Sequence, residues 1–227
     1  MGTLGIIQIF LTINFTGGTL SKNLNFIKPK LNVAITFDAC ETRSPSFFDE
    51  KLLNYLIDNK IPFTLFISGK FLLRNKKEVK KISKYSFVEI ENHSYSHKIL
   101  TKKTKDFIIK DVKKNTELIE EITGIKPKFF RFPAGIYNKN TLKTIESLGL
   151  KVVHWSFESG DPDKSITDEH MLKTVSTKIK NNSILIFHIN RRGWNTAKAI
   201  PKIVLWLKNN NYKLHLLKDL PKITYIK

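Results

Sequence analysis

The stretch NVAITFDACET, Asn32 to Thr42, opens with a run of strand-forming residues over 32–37 and then sets down a carboxylate, Asp38, followed at once by Ala39 and Cys40. A nearly continuous apolar run suits a strand covered on both faces, as in a parallel sheet. An acid at the end of such a run is costly to bury unless a cation, a metal or hydrogen-bond donors meet it. In folds built from parallel strands, functional side chains gather at the carboxyl ends of the strands. Asp38 is therefore the first candidate for chemistry, and the fold depends on whether the rest of the chain repeats this pattern.

The pattern recurs in IPFTLFI (61–67), FVEI (87–90), KFFRF (128–132), KVVHWSF (151–157), SILIFHI (183–189) and YKLHLL (212–217). Helix-period segments lie between them. SPSFFDEKLLNYLIDN (44–59) offers Ser44 as an N-cap, Pro45 at the first helical position, Asp49 and Glu50 in the first turn, and Phe48, Leu52, Tyr55 and Leu56 on one face. Segment 104–123 places Ile108, Val112, Ile119 and Ile122 on a stripe and stops at Gly124. Segments 138–148, 167–181 and 196–210 follow the helical period less sharply, and Pro201 is expected to delay or bend the last. Strands alternating with helices through right-handed crossovers give an α/β barrel or an open doubly wound sheet. About seven parallel strands in a chain of this length favour a single distorted (β/α) barrel over residues 29–227, with a separate segment 1–28 ahead of it.

A chain of 227 residues, 41% of them hydrophobic and 16 of them Phe, is large enough to bury one good core. The formal charge of +19 comes from lysines scattered as singles and pairs among many Ile and Asn, as translation from an AT-rich genome gives. Such charge bears on solubility and general attraction to anions; nucleic-acid recognition calls for a clustered basic stripe, so no specific nucleic-acid partner is expected. Cys40 is the single cysteine, which excludes an internal disulfide and leaves the redox compartment open. The apolar run Leu4 to Phe15 reads either as a short secretory h-region or as an opening strand, with no Lys or Arg ahead of it. Its 12 residues are too few to span a bilayer, which takes about 20, and no other segment is a transmembrane candidate. Export to the cell envelope is favoured over the cytoplasm.

Titratable residues recur at the expected strand ends: DACE, ENHSYSH, RFPAGIY, HWSFESGD and FHIN. His93 and His97 in NHSYSH stand four apart, a spacing that brings two imidazoles to one face of a helical turn and can chelate zinc, although a surface histidine pair has the same spacing. His188 closes the run ILIF, as a satisfied core histidine or as a proton donor, since imidazole titrates near neutrality. Arg131 is expensive to bury unpaired, and Asp38, Glu158 and Asp161 are its candidate partners. After His188, Arg191, Arg192 and Trp194 form either a surface for a polyanion or sugar, or a solvated loop with one anchoring Trp.

The motifs TFDAC, NHSYSH, RFPAG, WSFESGD and ILIFH follow the order and approximate spacing of the five motifs of the NodB-type polysaccharide deacetylases, carbohydrate esterase family 4. The chain resembles that family over about residues 30–217. The resemblance implies a distorted (β/α) barrel that removes N-acetyl groups from chitin-like chains, peptidoglycan or other envelope glycans with zinc or a similar divalent metal. It implies Asp38 as the general base, His93 and His97 as metal ligands, Arg131 ordering the carboxylates, Glu158 orienting Arg131 or His188, and His188 protonating the departing amine. It also implies a backbone N–H near Ala134 for the oxyanion, and Trp155 matches an aromatic of the fourth motif that fits the core equally well.

Three positions depart from the family pattern. Ala39 stands where the second Asp of Thr-Phe-Asp-Asp-Gly is the third metal ligand, giving a variant Asp-Ala-Cys first motif; Ala134 replaces a Tyr, and Glu158 an Asp. Asp38 is one replacement ligand, the base role then passing to Glu41 or Asp49. Cys40, which faces the same way as Asp38 in an extended strand, is another, and Glu41 reaching back from the loop is a third. A catalytically inactive glycan-binding relative is the alternative reading.

Overall fold

The computed structural model describes residues 30–41 and 44–223; the expectation for residues 1–28 lies outside them. The opening stretch forms β1 (Leu31–Ala39), which pairs with three other strands of an all-parallel sheet. On one edge β1 pairs with β6 (Ser183–His188), bringing Asp38 opposite His188. On its other edge it pairs with β2 (Phe63–Ile67) near its end and with β7 (Tyr212–His215) near its start. Beyond β2 lie β3 (Val88–Asn92), β4 (Phe129–Phe130) and β5 (Lys151–Val152). After β5 the chain reaches β6, where Phe157 bridges Leu185 and the Ser156 N–H donates to the Ile184 carbonyl at 2.9 Å. This contact rolls the sheet into a barrel, as the strand pattern implies.

Period-two alternation sorts the side chains of β1. Val33, Ile35, Phe37 and Ala39 enter the helix-side core with Leu52, Leu56, Ile200 and Val204. Ala34 faces the barrel interior with Phe66, Phe129, Val153, Ile184 and Leu217. Each such Leu, Ile or Phe contributes about 1.5–3 kcal/mol on burial. Thr36 and Asp38 share the inward face, so the alternation that builds the core also carries Asp38 to the inner rim.

The helices are α1 (Glu50–Asp58), α2 (Gly69–Arg74), α3 (Lys76–Ile82), α4 (Lys105–Thr123), α5 (Lys139–Glu146), α6 (Asp168–Lys178) and α7 (Thr196–Asn209). Helix α4 matches its sequence signals, with Thr104 accepting from the Phe107 N–H and Gly124 ending it at φ 74°. Helix α7 runs through Pro201. Helix α1 corrects the reading of Ser44 and Pro45 as a helix start, because Asp49 is the N-cap. The Ser46 N–H donates to Glu41 at 3.2 Å, its hydroxyl donates to the Asn190 carbonyl at 3.1 Å, and the Asp49 N–H donates to the Ile189 carbonyl at 2.7 Å. Those bonds hold 44–49 outside the helix. Helices α2 and α3, which lack a clear sequence period, meet at Asn75, whose amide donates to the Phe71 and Ser46 carbonyls. Among the described residues no helix is long and apolar enough to cross a membrane.

Candidate active site

Asp38 is 4% exposed, and its Oδ1 accepts from Arg131 Nη1 at 2.8 Å while Oδ2 lies 3.4 Å from His93 Nε2. Burial alone would raise its pKa, but His93, Arg131 and His188 outweigh that and hold the carboxyl below its ordinary value. Arg131 follows β4 directly, is fully buried, and lies 4.0 Å from the Phe66 ring centroid, with Nε and Nη2 lacking protein partners. Of its candidate partners, the structure selects Asp38.

His93 follows β3, and its Nδ1 lies 2.8 Å from the Arg131 carbonyl oxygen. A carbonyl only accepts, so this bond assigns the ring proton to Nδ1 and leaves a lone pair on Nε2, facing Asp38. Burial holds His93 below its ordinary pKa, and pushes His97 down to about 3 with His93 adding to the effect. The two rings meet at 4.8 Å between centroids. The turn joining them is not the helical turn that the spacing suggests: Ser94 (φ 63°) and His97 (φ 52°) are left-handed. Helix α4 secures it, as Asp111 accepts from the Tyr95 and Ser96 N–H groups at 3.1 and 3.3 Å. Asn115 adds an amide bond to Asn92 Oδ1 at 2.9 Å, and that same oxygen accepts from the Ser94 N–H at 2.8 Å. Among the described residues, no three His, Cys, Asp or Glu side chains already surround one point as a metal cage.

His188 Nδ1 lies 2.9 Å from Asp161 Oδ1, and the His188 N–H donates to Asp161 Oδ2 at 2.5 Å. Asp161 is 1% exposed and also accepts from the Thr196 hydroxyl at 2.9 Å. Glu158, expected to orient His188 or Arg131, is instead exposed, and the acid that holds His188 is Asp161, three residues on. The signal available was the need of a buried-edge histidine for an orienting acceptor, which the Asp in ESGD satisfies. Ala134 sits in a left-handed turn at φ 54°, and its N–H has no protein acceptor among the described residues. Trp155 packs on His154 with centroids 3.7 Å apart and lies 5.8 Å from the Arg131 guanidinium, whereas Trp194 is 61% exposed.

The candidates for the missing ligand separate clearly. Ala39 points into the helix-side core, away from Asp38. Glu41 is corrected: both its oxygens are taken by Arg74, through Nε and, at 3.0 Å, through Nη2. Asp49 caps α1, accepting from the Leu52 N–H at 3.2 Å. Cys40 is a buried thiol, pushed up to about 11 by burial and by Asp38. Asp38 remains the carboxylate next to the two imidazoles.

The chain is 28% identical over 194 residues to the peptidoglycan-N-acetylglucosamine deacetylase of Bacillus cereus, covering 84% of this chain and 68% of that protein. It is 29% identical over 171 residues to the uncharacterized YlxY of Bacillus subtilis, covering 75% of this chain and about half, 52%, of YlxY. Among solved structures, the Bc1960 peptidoglycan N-acetylglucosamine deacetylase superposes with a TM-score of 0.75 at 26% identity, over 87% of this chain and 91% of that one. The fold is shared too with BA3943 of Bacillus anthracis, described as a CE4 family pseudoenzyme, at a TM-score of 0.74 and 23% identity over 84% of this chain and 65% of that one. The polysaccharide deacetylase family model matches residues 27–153, more than half of the sequence, and this chain belongs to that family.

Proposed function

We propose that this chain is a metal-dependent hydrolase that removes N-acetyl groups from an envelope polysaccharide, acting outside the cytoplasm. The observation that carries the reading is the meeting of His93, His97 and Asp38 at one strand edge, with His188 held by Asp161 across the same ladder. The donor set fits a divalent metal such as zinc: two imidazoles kept neutral by burial, and a carboxylate oxygen facing the His93 lone pair at 3.4 Å. His93 and His97 would hold the metal, with the Asp38 carboxylate beside them left free to act as the base, and when bound it would supply Lewis acidity and a water of lowered pKa.

The protein's own groups divide the remaining work. Arg131 keeps Asp38 ionised and fixed, and with Glu41 and Asp49 engaged elsewhere, Asp38 accepts the proton of the attacking water. Asp161 fixes the His188 tautomer with hydrogen on Nδ1, so that Nε2 can hold and deliver a proton to the sugar nitrogen. The free N–H of Ala134 is available to the oxyanion. Trp155 and Trp194 offer ring faces to pyranose rings.

A non-catalytic glycan-binding relative is the second reading, favoured by the burial of Ala39 in the apolar core and the commitment of Glu41 to Arg74. Metal analysis combined with acetate release from N-acetylated glycans separates the two. The expected result is a stoichiometric divalent ion and acetate release in the wild type, both lost in His93→Ala and both weakened in Asp38→Asn. Wild-type protein that neither retains metal nor releases acetate overturns the hydrolase reading in favour of the second.

A further inference from the structure

His93 and His97 bracket a turn in which every backbone N–H has a partner. The His93 N–H donates to the Ile67 carbonyl at 3.1 Å and the Ser94 N–H to Asn92 Oδ1 at 2.8 Å. The Tyr95 and Ser96 N–H groups share Asp111 Oδ2 at 3.1 and 3.3 Å, and the His97 N–H donates to Ser94 Oγ at 3.1 Å. The turn's carbonyls are met from α2, where the Gly69 and Lys70 N–H groups donate to Ser94 and Tyr95 at 3.1 and 3.2 Å. Two helices thus satisfy the backbone of a segment that belongs to neither.

Nothing local to the turn favours its shape, because Ser94 and His97 sit at φ 63° and 52°, a conformation that residues with a Cβ rarely adopt. The shape is held from outside. Asp111, 7% exposed, reaches in from α4. Tyr95, midway between the imidazoles, seats its ring against Gly69 and under Lys114. A Cβ at Gly69 would come within 2.1 Å of Tyr95 Cδ2 and 2.9 Å of Asn115 Oδ1, and Lys114 Nζ lies 3.8 Å from the Tyr95 ring centroid. His93 is fixed independently of this clamp, by the 2.8 Å contact between its Nδ1 and the Arg131 carbonyl.

We infer that Asp111 and Gly69 are positioning residues for the candidate metal site, holding the 93–97 turn so that the His97 ring stands 4.8 Å from the His93 ring before any ion arrives. The inference rests on the reading of the two imidazoles as metal ligands. It deepens that reading by assigning part of the affinity for the ion to two residues that act through the backbone of the turn and through Tyr95. Losing either one releases His97 and leaves His93 in place, so the site keeps one imidazole of its pair.

Zinc titration against a competing chelator, with amide hydrogen exchange of the metal-free protein, tests it. Asp111→Ala and Gly69→Ala are each expected to weaken zinc binding about 10- to 100-fold. In Asp111→Ala the Tyr95 and Ser96 amides, protected in the wild type, open to exchange. Asp111→Asn keeps an oxygen for both N–H groups and recovers most of the affinity. Thr104→Ala removes the N-cap of the same helix, where the hydroxyl accepts from the Phe107 N–H at 3.3 Å, and so loosens α4 without touching the turn; zinc affinity is expected to stay at the wild-type value. An unchanged affinity in Asp111→Ala or Gly69→Ala, or an equal loss in Thr104→Ala, overturns the positioning role and leaves the metal reading standing. Wild-type protein that binds no zinc overturns both.

Discussion

The barrel buries acids at two levels of its inner wall, and the levels treat them in opposite ways. At the carboxyl ends of the strands, Asp38 meets Arg131 at 2.8 Å and is held below its ordinary pKa. Lower down, Glu89 and Glu91 share the inward face of β3, where Glu91 accepts from the Lys128 and Phe129 N–H groups at 2.8 and 2.6 Å, and Glu89 accepts from the Thr64 hydroxyl at 2.6 Å. Burial, followed by the charge of Glu89, raises Glu91 well above the ordinary carboxylate value. His93, the buried Arg131 cation and His188 therefore favour the ionised form of one acid, while peptide and hydroxyl hydrogens alone leave the other inclined to keep its proton.

Removing the cation breaks the contrast most severely. Arg131→Leu leaves Asp38 buried and unpaired, and an expected loss of about 3–5 kcal/mol in denaturant unfolding checks it. A loss under 1 kcal/mol would mean that the pair contributes little to holding the acid ionised. Next in size is Asp161→Asn, which disturbs the tautomer of His188: acetate release is expected to fall about 100-fold in kcat, with glycan affinity nearly unchanged. A change confined to KM would instead make Asp161 a support of the Trp194 loop.

The lower level gives the smallest effect, of opposite sign. A raised folded-state pKa means that native Glu91 holds its proton more tightly than the unfolded chain does. Its contribution is fully present below the ordinary carboxylate pKa and is lost as pH rises through the folded-state value. Glu91→Gln keeps an oxygen for the two N–H groups and removes that loss, so a gain of about 2–4 °C in Tm at neutral pH and a flatter stability–pH curve are expected. An unchanged Tm would show that the two peptide donors already satisfy an ionised Glu91.

Helix α4 is readable in advance because its signals are local: Thr104 caps it, Gly124 ends it, and its apolar stripe needs no knowledge of what it packs on. The span 44–49 misleads for the converse reason. Ser44, Pro45 and Asp49 have the chemistry of a helix start, yet Ser46 and Asp49 spend their bonds on Asn190 and Ile189, more than a hundred residues away. Glu158 and Asp161 lie in one loop, and composition does not tell which of them turns to His188. The pinning of the loop by Trp194 and Thr196 makes that choice.

From the amino acids alone follow the parallel α/β barrel, the five polar clusters at its strand ends, and Asp38, His93, His97, Arg131 and His188 as the residues to watch, because periodicity and motif chemistry are properties of short segments. Folding chose their partners: Arg131 for Asp38 across 93 positions, Asp161 for His188 across 27, and Arg74 for Glu41 across 33. Charge pairing depends on distances of a few ångströms between strands remote in the chain, and those distances exist only once the barrel has closed.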